Sequence, residues 1–324
     1  MKERRLGRTG YMVSEIGLGC WQLGGDFGPV GDETANAILD AANDQGVSFW
    51  DTADVYGDGL SESRIGSHAK APGLHVATKV GRSGTLYPDK YSREAVHESL
   101  VGSARRLGVE TLDLAQLHCV PPEVLRQGDI FGWMNEFQAE GLVRFWGASV
   151  ETIEEGLLCL EQPGCATLQI IFNILRQDAT KELLPRAKEQ DVGIIVRLPL
   201  ASGLLSGKFD KDTQFDQTDH RNYNRDGAAF SVGETFGGIP FPRGIELVQE
   251  LKGLAPQGVP LAQVALRWIL DHPEVSTIIA GVSKPEQLAE NVAASERPSL
   301  FPALMMQLGE WYEKTVKPEI RGGV

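Results

Sequence analysis

The chain has 324 residues, a composition ordinary for a globular protein, and a formal net charge of −13 at pH 7. This charge argues against a general binder of nucleic acids or anionic membranes, and an anionic ligand would need a local basic site. No run of 18 apolar residues occurs, and no long apolar segment follows the charged N-terminus, so the sequence predicts neither a membrane span nor a signal peptide. The four cysteines form no CxxC pair and accompany no histidine cluster, which predicts free thiols in a cytoplasmic protein and no metal site.

Eight short apolar runs recur along the chain, and most are nearly continuous, as in strands that are buried on both faces. They cover residues 15–19, 47–51, 74–79, 112–118, 143–149, 166–172, 192–198 and 275–281. Helix-like segments separate them, at residues 32–46, 61–70, 92–108, 132–141, 152–160, 181–190, 261–270 and 285–293. The clearest helix has apolar residues at 96, 100, 104 and 107, between an N-cap at Ser92 and a stop at Gly108.

This alternation predicts an α/β fold, a (β/α)8 barrel that forms one domain over residues 1–324. The opening residues 2–14 read as a β-hairpin that would plug one end of the barrel, and residues 209–238 form a long loop after the seventh strand. A doubly wound sheet is the competing architecture. It would normally carry a G-x-G-x-x-G turn after the first strand, but the segment GLGCWQLGG, which begins in the first strand, does not match that pattern.

Titratable side chains follow three consecutive predicted strands. Asp51 ends the second strand and Tyr56 lies in the loop after it, Lys79 ends the third strand, and His118 ends the fourth. Catalytic groups of such barrels lie at the C-terminal ends of the strands, so we expect these four side chains to converge. An ordinary strand exit with local hydrogen bonds is the alternative for Asp51 and Tyr56.

The four residues suit proton transfer to a carbonyl group. A tyrosine hydroxyl titrates near ~10, and a nearby ammonium such as that of Lys79 lowers this pKa. Asp51 would hold Lys79, His118 would orient a substrate oxygen, and Tyr56 would donate the proton as hydride arrives at carbon. The motifs GxSxG, HExxH and Tyr-x-x-x-Lys are absent from the sequence. The hydride must come from a cofactor, because side chains do not supply it.

Two segments have features of phosphate-binding sites. In GVSKPEQLAEN (281–291), Ser283 and Glu286 match a capping box, and Pro285 suits the first turn of a helix whose N-terminus attracts anions. A well-capped helix without a ligand is the alternative. In PLASGLLSGK (199–208), glycines precede Lys208. Two phosphate sites suit a dinucleotide, and a cation beside a helix N-terminus suits the extra phosphate of NADPH.

Together these motifs resemble the aldo-keto reductase superfamily, over nearly the whole chain. The motifs that carry the resemblance are LGRTG (6–10), GLGCW (17–21), DTADVYG (51–57), ATK (77–79), QLH (116–118), GAS (147–149), PLASGLLSGK and IIAGVSKPEQLAEN. The resemblance implies a barrel that binds NADPH, with NADH less favoured, and that uses Tyr56 as general acid with Asp51, Lys79 and His118 beside it. It implies cofactor contacts by Trp21, Ser149, Gln169, Phe172, Leu200, Gly203, Lys208, Gly281, Ser283, Lys284, Gln287, Glu290 and Asn291, with Phe172 stacked on the nicotinamide. We also expect a cofactor contact by Arg197, which is not part of the family pattern. Trp21 and Cys119 would shape the substrate pocket.

Three positions depart from the pattern of many relatives. Val150 follows Ser149 where asparagine is common, Phe172 replaces a tyrosine, and Arg197-Leu198 replaces an aromatic residue and a serine. Arg197 would contact a cofactor phosphate or form an internal ion pair. Alternatively, with Arg221 or Arg225 of the long loop, it would select a carbonyl substrate that carries a carboxylate or phosphate.

The sequence therefore predicts an NADPH-dependent reductase of aldehydes or ketones whose partner is a small carbonyl compound. Two alternatives remain open. One is an NADPH-binding regulatory subunit with slow turnover, as in potassium-channel β subunits. The other is an aldose dehydrogenase that works in the oxidative direction. The sequence does not predict the substrate or the oligomeric state.

Overall fold

A computed structural model describes residues 1–25, 27–68 and 70–324. Eight parallel strands close into a barrel in which each strand pairs with its neighbours along the chain, and the last pairs with the first. The barrel strands are β3 (Ile16–Gly19), β4 (Phe49–Asp51), β5 (His75–Val80), β6 (Leu112–His118), β7 (Val143–Ser149), β8 (Cys165–Ile171), β9 (Gly193–Arg197) and β10 (Val275–Gly281). The predicted barrel and all eight predicted strands are confirmed.

An antiparallel hairpin closes the N-terminal end of the barrel, as predicted. Its strands are β1 (Glu3–Arg5) and β2 (Met12–Ser14). Leu6 and Val13 of the hairpin pack in one buried cluster with side chains from the barrel interior, which are Phe49, Ala77, Leu114, Ile195 and Ile279. Because side chains alternate along a strand, the residues two positions further on face the interior as well. Those residues are Asp51, Lys79, Gln116, Arg197 and Gly281, so the interior changes from apolar to polar toward the C-terminal ends of the strands.

Helices surround the barrel and bury their apolar faces against it. They are α1 (Asp32–Asp44), α2 (Leu60–Ser67), α3 (Arg93–Leu107), α4 (Pro122–Gln127), α5 (Asp129–Ala139), α6 (Ile153–Leu160), α7 (Leu183–Glu189), α8 (His220–Tyr223), α9 (Phe241–Leu254), α10 (Leu261–Leu270), α11 (Pro285–Val292) and α12 (Pro302–Trp311). Within the described ranges, no helix is long and apolar enough to cross a membrane. Helices α4, α8, α9 and α12 were not predicted. In α9, Pro242, Gly244 and Gly253 obscure the helical period.

Helix caps confirm one sequence prediction and correct another. The Ser92 hydroxyl accepts a hydrogen bond from the amide of Ala95, and Gly108 ends α3 with a left-handed conformation, as expected. The predicted capping box of Ser283 and Glu286 is wrong, because Lys284 is the N-cap of α11 and provides no side-chain cap. The amide and hydroxyl of Ser283 instead donate to Oε1 of Gln287, at 2.8 and 3.2 Å.

Gly147 in β7 shows how closely the barrel wall is packed. A Cβ at this position would overlap Oγ1 of Thr167 in β8 and come within 2.5 Å of the Thr167 carbonyl oxygen. We expect Gly147→Ala to lower the free energy of unfolding by roughly 1–3 kcal/mol or more, as overpacking does. Gly132→Ala is the matched control, since Gly132 lies in α5 with no atom within 4 Å of its Cβ position, and it should stabilise by roughly 0.5–1 kcal/mol. Denaturant unfolding measures both, and equal midpoints for the two variants would contradict this packing.

Candidate active site

The C-terminal ends of the strands bring a carboxylate, an ammonium and a phenol together. Nζ of Lys79 lies 2.5 Å from Oδ2 of Asp51 and 3.0 Å from the hydroxyl of Tyr56, and it also donates to the carbonyl of Thr52 at 2.8 Å. Asp51 and Lys79 are each 1% exposed. The register of β4 with β5 sets this contact, because Asp51 pairs with Ala77 and Lys79 follows on the same face.

Burial determines the protonation state of Tyr56. Desolvation raises the pKa of this phenol to about 12, although the Lys79 ammonium acts in the opposite direction. The sequence-based expectation that Lys79 lowers the pKa below its usual value is therefore wrong for the net effect. Burial would lower the pKa of Lys79, but Asp51 and Tyr56 outweigh it and the pKa is raised, so Lys79 stays charged. At neutral pH the pair presents a protonated phenol beside a fixed positive charge, which suits a proton donor whose product is a phenolate.

His118 lies beside this group and is neutral. Its ring centroid is 6.0 Å from that of Tyr56, in an edge-to-face arrangement. Burial, together with the positive charges of Lys79, Arg82 and Arg197, holds the pKa of His118 well below its usual range. Its Nδ1 has no hydrogen-bond partner among the described residues. A neutral imidazole can donate one hydrogen bond to a carbonyl oxygen and orient it without serving as the acid.

These protonation states predict the pH dependence of any carbonyl reduction at the site. His118 is neutral above its lowered pKa, and Tyr56 keeps its proton until the pH approaches about 12. We therefore expect kcat/KM for reduction of an uncharged aldehyde to vary by less than about threefold between about pH 7 and 9. Alcohol oxidation needs the phenolate and should accelerate as the pH rises over the same range. Initial rates in both directions test this, and a reduction rate that falls with an apparent pKa near 7 would contradict it.

Buried side-chain amides join Asp51 in β4 to strands β6 and β8 of the barrel. The side-chain amides of Gln116 and Gln169 donate to Oδ1 of Asp51, at 3.0 and 2.8 Å. The Ser149 hydroxyl donates to Oε1 of Gln169 at 3.3 Å. Sequence reasoning gave Gln116 no role, although it lies two residues before His118 and the strand period places both side chains in the barrel interior.

A cavity of about 590 Å³ opens above these residues at the C-terminal end of the barrel. Of the residues assigned by resemblance, those that line it are Trp21, Asp51, Tyr56, His118, Ser149, Gln169, Arg197, Leu200, Gly203, Lys208, Gly281, Ser283, Gln287, Glu290 and Asn291. Trp21 stacks on Tyr56 with ring centroids 5.8 Å apart. The structure thus brings together most of the predicted site.

The outer part of the cavity has glycines, a lysine and a helix N-terminus around it. Gly203 has a φ of 96°, and a Cβ there would lie 2.8 Å from the Phe209 ring, so a larger residue would not fit at this position. A Cβ at Gly281 would overlap the amide of Gln22. Lys208 lies at this end, 3.6 Å from Glu290, and both side chains are largely exposed. Glycines, a cation and the N-terminus of α11 are features that suit a ligand with phosphate groups.

Three of the predicted residues lie elsewhere. Phe172 is completely buried outside the cavity, with its ring 4.9 Å from those of Trp268 and His272, so it cannot stack on a cofactor there. Cys119 is buried beneath the cavity wall with Sγ 3.8 Å from Nη2 of Arg197, and does not line the cavity. Lys284 is exposed and is also not among the residues that line the cavity.

Arg197 forms an internal ion pair, which was one of the alternatives for this residue. Its Nη2 lies 3.5 Å from Oε1 of Glu234 and donates to the carbonyl of Val150 at 3.1 Å. Arg82 donates to the same carboxylate at 2.9 Å, and both arginines line the cavity. Sequence reasoning missed Arg82 and Glu234, because Glu234 lies in an irregular stretch with no periodic pattern.

The two loop arginines differ from expectation. Arg221 lines the cavity, but its guanidinium is bound by the Asp219 carboxylate, at 2.9 and 2.5 Å. Arg225 is not among the lining residues and lies 5.2 Å from the Phe241 ring. Of the two loop arginines offered as alternative partners of Arg197, Arg221 therefore lines the cavity and Arg225 does not.

Comparisons with known proteins agree with this geometry. The sequence model described as "Aldo/keto reductase family" matches residues 15–308. A protein from Oryza sativa subsp. japonica named "Probable voltage-gated potassium channel subunit beta" is 30% identical, over 98% of this chain and 97% of its own length. An "NADH-specific methylglyoxal reductase" of Escherichia coli (strain K12) is 28% identical, over 91% and 93%. The solved structure of a glycerol dehydrogenase from Gluconobacter oxydans superposes with a TM-score of 0.79 at 25% identity, over 100% of this chain and 99% of that chain. With the closed barrel, these matches show that the chain belongs to the aldo/keto reductase family of oxidoreductases, which act on carbonyl or alcohol groups with a nicotinamide cofactor.

Proposed function

We propose that the chain reduces an aldehyde or ketone to the alcohol, with Tyr56 as the proton donor. The observation that carries this proposal is the buried chain of contacts from Asp51 through Lys79 to the Tyr56 hydroxyl, at 2.5 and 3.0 Å, at the base of an open cavity. His118 would hold the carbonyl oxygen by a hydrogen bond. Tyr56 would give that oxygen its proton, and the ammonium of Lys79 would stabilise the phenolate that remains.

A nicotinamide cofactor, when bound, supplies the hydride. Ser149 and Gln169 would hold the carboxamide end, because both line the cavity beside Asp51. The glycine-lined segment at Leu200 and Gly203, with Lys208, would hold the phosphates. Ser283, Gln287, Glu290 and Asn291 would hold the adenosine end.

We propose NADPH as the preferred cofactor, with NADH second. Lys208 lines the outer end of the cavity, near the N-terminus of α11, so this side chain would bind an additional phosphate. The Escherichia coli relative is named as specific for NADH, so the preference needs measurement. A cytoplasmic location is proposed as well, since all four cysteines are free and buried, as is usual in a reducing compartment.

A regulatory role is the second candidate, favoured by the channel-subunit name of the Oryza sativa relative. Such a protein would bind cofactor tightly and turn over slowly. An oxidative direction, as the name of the glycerol dehydrogenase indicates for that protein, is the third. The three candidate functions differ in the rate of steady turnover and in the direction of the reaction.

The test is cofactor consumption at 340 nm with 4-nitrobenzaldehyde, with NADPH and NADH in parallel. Steady turnover with a lower KM for NADPH supports the first candidate. A single burst of cofactor oxidation followed by slow release supports the regulatory candidate. Oxidation of alcohols alone, without detectable reduction, supports the third.

A further inference from the structure

The cavity wall beside His118 carries a buried cluster of charges that the proposed chemistry does not use. Nη1 of Arg82 donates to Glu234 at 2.9 Å, and Nη2 of Arg82 lies 3.6 Å from Oε1 of Glu151. Arg197 reaches the same Glu234 carboxylate at 3.5 Å. Oxygen atoms of the two glutamates lie within 4.8 Å of each other, and the two guanidinium groups supply their counter-charges.

Further positive charge lies beside this cluster. A third arginine, Arg176, lies behind it and donates to the carbonyl of Glu151 at 3.3 Å. Burial and the charge of Arg197 lower the pKa of Arg176 to about 10, so it remains charged at neutral pH. Burial and the Glu234 carboxylate raise the pKa of Glu151 to about 7, so this carboxyl is only partly ionised there. Three guanidinium groups thus lie at or beside the two glutamates, and the Asp178 carboxylate also acts on Arg176.

Arg197 lies in the cavity wall and has an unused donor that is itself buried. The residue is 9% exposed and lines the cavity. Its Nε has no hydrogen-bond partner within the part of the chain that the structure describes. Leaving a buried charged donor unpaired is costly, so such a group usually has a ligand or water as its partner.

We propose that Arg197 binds a carboxylate of the substrate, so that the chain prefers carbonyl compounds that carry a carboxylate near the reacting carbon. This inference rests on the proposed function, since Tyr56 and His118 must hold the carbonyl oxygen. The contact between Arg197 and Cys119, the residue directly after His118, places the guanidinium close to the carbonyl site. A guanidinium matches the planar shape of a carboxylate, and the aromatic walls at Trp21 and Phe230 suit an apolar connecting group.

The test compares two aldehydes that differ in one charge, 4-formylbenzoate and its methyl ester. The ester is the more electrophilic aldehyde, so a preference for the acid cannot arise from intrinsic reactivity. We expect kcat/KM of the wild type to favour 4-formylbenzoate by roughly tenfold or more, the effect of a hydrogen bond to a charged group. Addition of salt should change this ratio little, because the contact is buried.

Variants assign the preference to one side chain. Arg197→Gln should lower kcat/KM for 4-formylbenzoate by roughly 10- to 100-fold and leave the ester within about threefold. Arg197→Lys keeps the charge without the Nε donor and should restore part of the preference. Arg144→Gln is the matched control, because it removes one positive charge from a side chain that is 59% exposed on the other end of β7. Thermal unfolding shows whether each variant is folded.

A binding measurement keeps the inference testable without turnover. Quenching of tryptophan fluorescence reports 4-formylbenzoate near Trp21, and binding should weaken in Arg197→Gln but not in Arg144→Gln. Equal use of acid and ester by the wild type, or equal losses on both substrates in Arg197→Gln, would overturn the inference while leaving the reductase proposal intact. If neither aldehyde is consumed, the proposed function fails, and the fluorescence titration still decides whether Arg197 binds a carboxylate.

Discussion

Replacing Tyr56 with phenylalanine should lower kcat for aldehyde reduction by roughly 10²-fold or more, the loss expected when a general acid is removed. The change deletes only the hydroxyl that lies 3.0 Å from Nζ of Lys79 and leaves the ring that stacks on Trp21. Cofactor affinity, measured by fluorescence titration, should stay within about threefold of the wild-type value, because we do not expect the Tyr56 hydroxyl to contact the cofactor.

Tyr87→Phe is the matched control for this prediction. Tyr87 lines the same cavity but is 43% exposed and makes no contact with Lys79. We expect its kcat to remain within about threefold of the wild type. Equal rates for the wild type and Tyr56→Phe would show that Tyr56 is not the proton donor.

The second large effect concerns the buried ion pair of Asp51 and Lys79. Lys79→Met leaves the Asp51 carboxylate uncompensated in the barrel interior, where two glutamine amides still donate to it. We expect the free energy of unfolding to fall by roughly 3–5 kcal/mol, the usual result of breaking a buried pair from one side. Activity should be lost as well, because the phenolate of Tyr56 then has no cation beside it.

A double variant separates stability from catalysis. Asp51→Asn combined with Lys79→Met removes both charges, so it should recover most of the stability that Lys79→Met loses but none of the activity. Lys188→Met is the control, since it breaks an exposed pair with Glu274 at 3.5 Å and should cost less than about 1 kcal/mol. Guanidinium unfolding gives the stabilities. A double variant no more stable than Lys79→Met would show that the pair is not coupled as described.

Much of the fold could be predicted because its signals are local. The barrel strands are buried on both faces, so they read as continuous apolar runs, and their order in the sequence is their order in the barrel. The convergence of Asp51, Lys79 and His118 follows from the rule that parallel strands end at one face of the barrel. The helix α9 was missed because proline and glycine interrupt its period, while tertiary packing of Leu247, Val248 and Leu251 holds it in place.

The errors at the site have physical causes. One could have been avoided from the strand pattern, and the others depend on the folded structure. Gln169 faces the barrel interior, so Phe172, an odd number of residues later, faces outward, and strict use of the strand period would have excluded it from the cavity. The pKa of Tyr56 depends on the extent of burial, which only the folded structure provides. The contact of Glu234 with Arg82 joins residues 152 positions apart, and no local pattern indicates it.

The most direct test of hydride transfer at this site is to determine the origin of the hydrogen that is added to the carbonyl carbon. A single turnover of 4-nitrobenzaldehyde with cofactor deuterated on the transferring face of C4 would be analysed by mass spectrometry of the product alcohol. Hydride transfer with Tyr56 as the proton donor should give one deuterium at the carbinol carbon in the wild type and almost no product over the same time in Tyr56→Phe. Product without deuterium, or equal product from both proteins, would contradict hydride transfer to a carbonyl that Tyr56 protonates.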